Sequence, residues 1–341
     1  MTDPQMTDEI LLDVENLSKS FTLSRSLLDV LNGRTPRVDA VSDISFTLRR
    51  GETIGIVGES GCGKTTLGRM LLKLIEPTGG RITFAGQDLA TLDHTAELAF
   101  RRRAQLVFQN PFDALNPHFT IRRSLYEPLV NTRVPVEHHD RMVAESLVRV
   151  QMDRMLHLLD SYPHQLSGGQ LQRVVLARAL VLQPDFIVAD EPVSMLDVSV
   201  RAGILNVLRE VRDTMGLAAV FISHDLALVR YVCERTITMY LGSVVEDGPT
   251  KEVISRPLHP YTRALVQAVP VPNVMQSHEP LPLTGTLPDV RNPPPGCRFS
   301  DRCPLVDDTC RQSRPPLREI NPGHRVACFK AELLQGSPTA H

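Results

Sequence analysis

The alternation of apolar and polar positions begins in LLDVENLSKSFTL, which reads as a half-buried strand that Phe21 ends. Residues 1–10 before it read as a loose tail. Ser24 to Asp39, with Asn32-Gly33 and Pro36, reads as a loop before a second strand, Val41 to Leu48, and a turn at Arg50-Gly51-Glu52. The β-branched run Thr53 to Val57 predicts a strand, and after Gly58–Thr66 a helix begins with Leu67, Met70, Leu71 and Leu74 at core spacing. That helix is expected to stop near Glu76-Pro77-Thr78-Gly79-Gly80, and RITFAGQDL reads as a short strand or hairpin turning at Gly86. Arg101 to Arg103 read as a solvated face. From about Ile121 to Leu159, Met142, Leu147, Val148 and Val150 fall at spacings that predict a small helical region inserted in an α/β pattern. FIVAD, four apolar residues before an acid, predicts a strand buried on both faces, and AAVFIS another.

The stretch GESGCGKTT, Gly58 to Thr66, lies between a predicted strand and a predicted helix. Its glycines let the backbone N–H groups of Gly58, Glu59, Ser60, Gly61, Cys62 and Gly63 turn toward a polyphosphate. Lys64 can then reach the terminal phosphates, the Thr65 hydroxyl can hold Mg²⁺, and Thr66 continues the cradle. The alternative is a plain glycine-rich turn. At the carboxyl end of FIVAD, where α/β sheets bind ligands, Asp190 could hold Mg²⁺ through water and Glu191 could polarise the water that attacks the γ-phosphate. His224 and Asp225 end the next strand, and a histidine there can donate to a γ-phosphate. Gln109 follows another apolar run. Its amide oxygen could ligate Mg²⁺ or orient a water, although on spacing alone it is an ordinary surface residue. In LSGGQ, Ser167 can cap a helix whose first N–H groups, opened by Gly168 and Gly169, suit an anion; a simple capped core helix is the other reading. Asp197 of SMLD can cap a helix or bond across an interface. Phe21 is either core or a flat face on which adenine stacks.

With 42% hydrophobic residues, the 341-residue chain can bury a core as one large or two modest domains. A net charge of −2 offers no basic field and gives no reason to expect nucleic acid as partner. No leader pattern or membrane-length apolar run is evident, which points to the cytoplasm.

Together, GESGCGKTT, Gln109, LSGGQ, FIVADEP, SMLD and His224 resemble the ATP-binding cassette (ABC) family in content and order. The resemblance spans about Leu11 to Val269. It implies a P-loop NTPase (RecA-like) α/β core with an antiparallel β-subdomain and a helical subdomain over about residues 110–180. It further implies two cassettes closing head to tail, each ATP lying between the P-loop of one chain and Ser167, Gly168, Gly169 and Gln170 of the other, with Asp197 at the interface. By the same resemblance Glu191 is the catalytic base, His224 the switch, Gln109 the γ-phosphate sensor and Phe21 the adenine platform. Phe21 stands where Tyr is commoner, and Met195 where Ala is.

Residues 270–341 form the remaining expected division, proline-rich to Pro295. The phrases HPYTRALVQAVP and GCRFSDRCP resemble the carboxyl extension of ATPases that drive oligopeptide, dipeptide and nickel importers, nearest to the second ATPase of such systems. This implies two membrane permeases, a second homologous ATPase, an extracytoplasmic binding protein, and a peripheral place on the cytoplasmic face of the inner membrane. Peptide is the leading cargo; nickel or another small solute is the alternative, and a soluble cassette ATPase or a non-hydrolysing clamp are readings of a different class. Cys297, Cys303, Cys310 and Cys328 supply four thiols in a segment poor in apolar residues. Their spacing favours an iron–sulfur cluster over zinc, with free thiols as the third reading. His324 is a substitute ligand or a surface residue.

Overall fold

The structure, a computed structural model, describes residues 9–22, 37–268 and 291–335. The body of the predicted loop with Asn32-Gly33 and Pro36, and the proline-rich stretch over residues 269–290, lie outside the described residues.

Strands β1 (Ile10–Thr22) and β2 (Arg37–Arg49) pair antiparallel, β1 burying Leu11, Leu12, Val14 and Leu17 as its alternation predicts. After β3 (Thr53–Val57) and α1 (Lys64–Leu71), β4 (Gly79–Phe84) and β5 (Gln87–Asp88) form the expected hairpin, and the four strands make one antiparallel sheet in the order β2-β1-β4-β5. Helix α1 ends earlier than its apolar spacing suggests. Leu67, Met70 and Leu71 are buried, but Leu74 lies in the turn beyond and is 51% exposed.

A second sheet carries the site. Helix α2 (His94–Arg103) leads into β6 (Ala104–Val107), and after the helical region come β7 (Phe186–Asp190), β8 (Ala218–Ser223), β9 (Arg235–Tyr240) and β10 (Ser243–Pro249). With β11 (Arg318–Asn321) and β12 (His324–Val326) from the carboxyl segment, the strand order is β11-β12-β10-β9-β3-β8-β7-β6, in which β6, β7, β8, β3 and β9 run parallel. Every residue of β3 and β8 is buried, as for strands covered on both faces. Gly68 allows α1 to lie against this sheet, because a Cβ there would stand 2.7 Å from Ile222 Cδ1 and 2.9 Å from Val188 Cγ1. At one end of α2, the expected solvated face is only partly so: Arg103 pairs with Asp185 at 2.5 Å and lies over the Phe84 ring, while Arg102 donates to the Thr132 carbonyl.

The helical region consists chiefly of α3 (Ile121–Asn131), α4 (His139–Arg149) and the first part of α5 (Gly168–Leu180). Leu147 and Val150 are buried as expected, whereas Val148 is 60% exposed. Helix α5 buries Leu171, Val174, Val175 and Leu180, each worth about 1.5–3 kcal/mol of apolar burial, and so ties this region to the sheet. Helices α6 (Val198–Met215) and α7 (Leu226–Val232) follow β7 and β8.

The carboxyl segment does not stand apart. After α8 (Thr250–Ser255) and α9 (Pro260–Gln267), β11 (Arg318–Asn321) and β12 (His324–Val326) extend the same sheet, β12 pairing with β10. Its anchor is Phe299, 1% exposed, which packs edge-on against Tyr240 at 5.2 Å between centroids and against Tyr261 at 5.5 Å. A segment poor in apolar residues of its own thus packs on a core borrowed from the cassette. Asp247 of β10 binds Arg235 at 2.7 and 2.8 Å and also accepts from Arg325. His324 is not exposed: it is buried, with Nε2 2.8 Å from Glu246 Oε1, it is absent from the lining of the cavity that holds the late cysteines, and Glu246 also accepts from the Leu258 and His259 N–H groups. No helix among the described residues is long and apolar enough to cross a membrane.

Candidate active site

The loop between β3 and α1 is shaped by Gly63, which caps the helix at φ +99°; a Cβ there would stand 2.0 Å from the Ala40 carbonyl oxygen. Lys64 opens the helix and is 6% exposed. Its Nζ donates to the carbonyls of Gly58 at 2.7 Å and Glu59 at 2.9 Å, which holds the ammonium over the loop as a phosphate would require. The next hydroxyl, Thr65 Oγ1, lies 3.3 Å from Asp190 Oδ1. Burial raises the Asp190 pKa, the Thr65 bond opposes that, and neighbouring Glu191 adds to it. Thr65 and Asp190 together present hard oxygen donors of the kind Mg²⁺ takes.

Glu191 sits at φ +46°, a left-handed conformation that costs a non-glycine residue roughly 1–3 kcal/mol and that the strand-end geometry imposes. Its N–H donates to the Ile222 carbonyl, which fixes the turn. The carboxylate is then held on both oxygens. Gln109 Nε2 donates to Oε2 at 2.9 Å, and His224 Nδ1 lies 3.0 Å from Oε1. Three residues predicted separately from three strand ends thus meet at one group.

Ser60, Gly61, Gly63, Lys64, Thr65, Thr66, Gln109, Glu191 and His224 all line a single open cavity of about 640 Å³. Gly58 and Glu59 lie beneath it as the carbonyl partners of Lys64, and Cys62 is buried in the loop. Phe21 is 39% exposed with Lys19 Nζ 5.3 Å from its ring centre, so the core alternative for it fails. Ser167, Gly168, Gly169, Gln170 and Asp197 do not line this cavity. Ser167 caps α5 as expected: its Oγ accepts from the Gln170 N–H at 3.4 Å, while Gln170 Oε1 accepts from the Ser167 N–H at 3.0 Å, and Ser167 and Gly168 are open to solvent. Asp197 occupies the N-cap position of α6 but its side chain makes no capping bond, leaving the carboxylate exposed.

Sequence reasoning missed a group that the carboxyl segment brings to the cavity. Pro293 and Arg298 belong to its lining, together with Val38, Asp39, Leu241 and Gly242. Arg302 forms a two-pronged bond to Glu59 of the phosphate loop at 2.7 and 2.9 Å, and the Glu59 N–H donates to Tyr261 Oη at 2.7 Å. Burial lowers the Arg298 pKa to about 10. GCRFSDRCP reads first through its two cysteines, and the arginines between them carry no spacing signal of their own.

The four late cysteines do share one place: Cys297, Cys303, Cys310 and Cys328 line a small cavity with Pro260 and Phe299. Burial pushes the Cys297 thiol up to about 11 and the Cys328 thiol up to about 12, and raises the other two. Among the described residues, however, no group of three or more His, Cys, Asp or Glu side chains could hold a metal ion. The iron–sulfur and zinc expectations gain no ligand set from this arrangement.

Residues 41–194 match the family model described as ABC transporter, and residues 245–310 match the C-terminal region of oligopeptide/dipeptide transporters. A putative peptide import ATP-binding protein of Brucella ovis is 44% identical over 328 residues, covering 96% of this chain and 100% of the relative. The chain belongs to the ABC transporter ATPases. Among other members of the family, the dipeptide transport ATP-binding protein DppF of Haemophilus influenzae is 41% identical, covering 95% of this chain and 99% of its own. Of solved ABC structures, the ATP-binding cassette MJ0796, dimeric in a post-hydrolysis state with ADP and Pi, superposes with a TM-score of 0.61 at 26% identity, covering 70% of this chain and 99% of that one. CbiO1 of Clostridium perfringens, part of the cbiONQ ABC complex, gives 0.61 at 28% identity, covering 72% and 91%. The ABC assignment makes the chain a transport ATPase.

Proposed function

We propose that this chain is the ATP-hydrolysing subunit of a peptide importer, held at the cytoplasmic face of the inner membrane by two permeases and paired with a second, related ATPase. An extracytoplasmic binding protein delivers the peptide. The observation that carries the reading is the convergence of Gln109 and His224 on Glu191 at the wall of the phosphate-loop cavity. The peptide assignment rests on the relatives' names and on the carboxyl-region match.

In this reading the backbone amides of Gly58–Gly63 and the Lys64 ammonium hold the β- and γ-phosphates, and Phe21 offers its face to adenine. Thr65, Asp190 and Gln109 would hold Mg²⁺, which when bound neutralises charge on the phosphates. Glu191 accepts a proton from the attacking water while His224 and Gln109 orient its carboxylate. Ser167, Gly168, Gly169 and Gln170 of one chain close on the ATP of the other, with Asp197 at the interface; the exposure of Ser167, Gly168 and Asp197, and the absence of all five from the lining of this chain's own cavity, fit that role. Residues 11–269 are the cassette and 270–341 its importer-type extension.

The finer reading of the cysteines is that Cys297, Cys303, Cys310 and Cys328 would hold an iron–sulfur cluster. Its support is the shared cavity. Anaerobic purification tests it: visible absorbance lost on Cys303→Ser supports the cluster, stoichiometric zinc points to the alternative, and four titratable thiols with neither metal refute both.

The function is tested in proteoliposomes holding both permeases and both ATPases. ATP hydrolysis stimulated by peptide-loaded binding protein is expected. Stimulation by nickel and not by peptide overturns the cargo, and a chain that purifies without permeases overturns the transport role.

A further inference from the structure

The carboxyl extension places a buried cation in the nucleotide cavity. Arg298 is 6% exposed and lies on the cavity wall that continues from Gly63 through Gly242 and Leu241. One guanidinium nitrogen donates to the Leu241 carbonyl and another to Ser42 Oγ at 2.8 Å; Nε, also buried, has no partner. Both of its partners are neutral. Among the described residues Arg298 forms no salt bridge; Asp39 on the same wall attracts it without an ion-pair contact, Arg314 opposes it, and Asp39 accepts from the Ser20 hydroxyl at 2.6 Å. Burying a guanidinium with no carboxylate in direct contact is costly, and an anion bound in the cavity would offset that cost.

The same short turn explains how the cation is held. Phe299 is locked against Tyr240 and Tyr261, and Arg302, one turn on, grips Glu59 of the phosphate loop. The wall carrying Arg298 is therefore tied to the loop that carries Lys64 directly by Arg302 and indirectly through Tyr261, whose hydroxyl accepts from the Glu59 N–H. Lys64 is the other cation lining the cavity, and it lies over the carbonyls of Gly58 and Glu59.

From this we infer that Arg298 is a nucleotide-binding residue supplied by the carboxyl extension, its guanidinium acting on the phosphate charge of the ATP or ADP in the cavity. The inference rests on the cavity being the nucleotide site. It makes the extension part of the ATP pocket, so that displacing residues 297–303 would weaken nucleotide binding without any change in the phosphate loop itself.

Nucleotide affinity of the full chain, read by displacement of a fluorescent ATP analogue with ATP and with ADP at low and moderate salt, tests this. Arg298→Gln keeps an amide donor for the Leu241 carbonyl but removes the charge; it is expected to weaken both nucleotides about tenfold, as loss of a charged hydrogen bond does, and to flatten the salt dependence. Arg298→Lys keeps the charge and is expected to stay within about threefold of the parent chain. Equal losses in the two variants, or a Gln variant that binds as the parent does, overturn the inference and leave Arg298 a structural residue. Lys64→Ala separates the two readings: if it abolishes binding while Arg298→Gln does not, only the inference fails, and if it too is without effect the cavity is not the nucleotide site.

Discussion

His224 Nδ1 lies 3.0 Å from Glu191 Oε1 while Gln109 holds the other oxygen at 2.9 Å, so the carboxylate is oriented from both sides before any nucleotide arrives. A base held in this way need not reorganise when water is placed against it. His224 is 62% exposed at its side chain and Glu191 only 18%, which leaves the histidine free to turn toward a γ-phosphate while the glutamate stays in place. His224→Ala is expected to slow ATP hydrolysis about a hundredfold, in the range of lost acid–base assistance, while ATP affinity changes only a few-fold. Steady-state hydrolysis together with equilibrium nucleotide binding checks this split, and a loss of affinity as large as the loss of rate would oppose it.

Arg302 and Glu59 tie the carboxyl segment to the phosphate loop through a two-pronged bond in which the arginine side chain is 9% exposed. Arg302→Met leaves the Glu59 carboxylate without that partner. A stability loss of about 2–3 kcal/mol is expected, visible as a lower denaturant midpoint. The double change with Glu59→Gln should recover part of it; additive losses would show that the two residues do not act as a pair.

Asp247 gives a pH dependence. Burial alone would raise its pKa, but Arg235 and Arg325 outweigh this and hold it below the ordinary value of 3.8. Because the folded value is the lower one, the unfolded chain binds the proton first, and the contribution is present above 3.8 and lost as pH falls through the folded value. Asp247→Asn is expected to cost about 2 kcal/mol at neutral pH, since it takes from Arg235 the nearer of its two carboxylate partners and leaves Glu52 at 3.5 Å, and the gap to the parent chain should narrow below pH 3.8. Denaturant unfolding at pH 7 and pH 3.5 measures the gap; one that widens in acid contradicts the assignment.

Ser167 caps α5 by accepting from the Gln170 N–H, and the helix start is open to solvent. Ser167→Ala is expected to cost about 1 kcal/mol of helix stability and, more sharply, to weaken ATP-dependent pairing of two cassettes. Sedimentation in the presence of ATP and of ADP reads this directly. Pairing unchanged by the substitution would place the partner's phosphate elsewhere.

The strand-end positions were legible because buried parallel strands announce themselves as short apolar runs, and the residue that ends each one lies where ligands bind. Asp190, Glu191 and His224 follow from that rule, whereas Gln109, ordinary on spacing alone, was singled out only by the family resemblance. Leu74 misled because apolar spacing fixes a helical face but not the residue at which the helix stops. His324 was misplaced because its partner, Glu246, lies 78 positions away across β10 and β12, and no local pattern carries such a pairing. The same limit hid Arg298 and Arg302: residues between two cysteines drew attention to thiol chemistry, and only docking of Phe299 on Tyr240 and Tyr261 brings the arginines to the phosphate loop.

The most direct test of the account compares Glu191→Gln with the parent chain in the complex with its permeases, measuring ATP binding and ATP hydrolysis on the same preparation. Removing the charge while keeping the shape of the side chain should leave ATP bound at near-parent affinity, with hydrolysis reduced about a hundredfold or more. Hydrolysis indifferent to the substitution would mean that the carboxylate held by Gln109 and His224 is not the catalytic base.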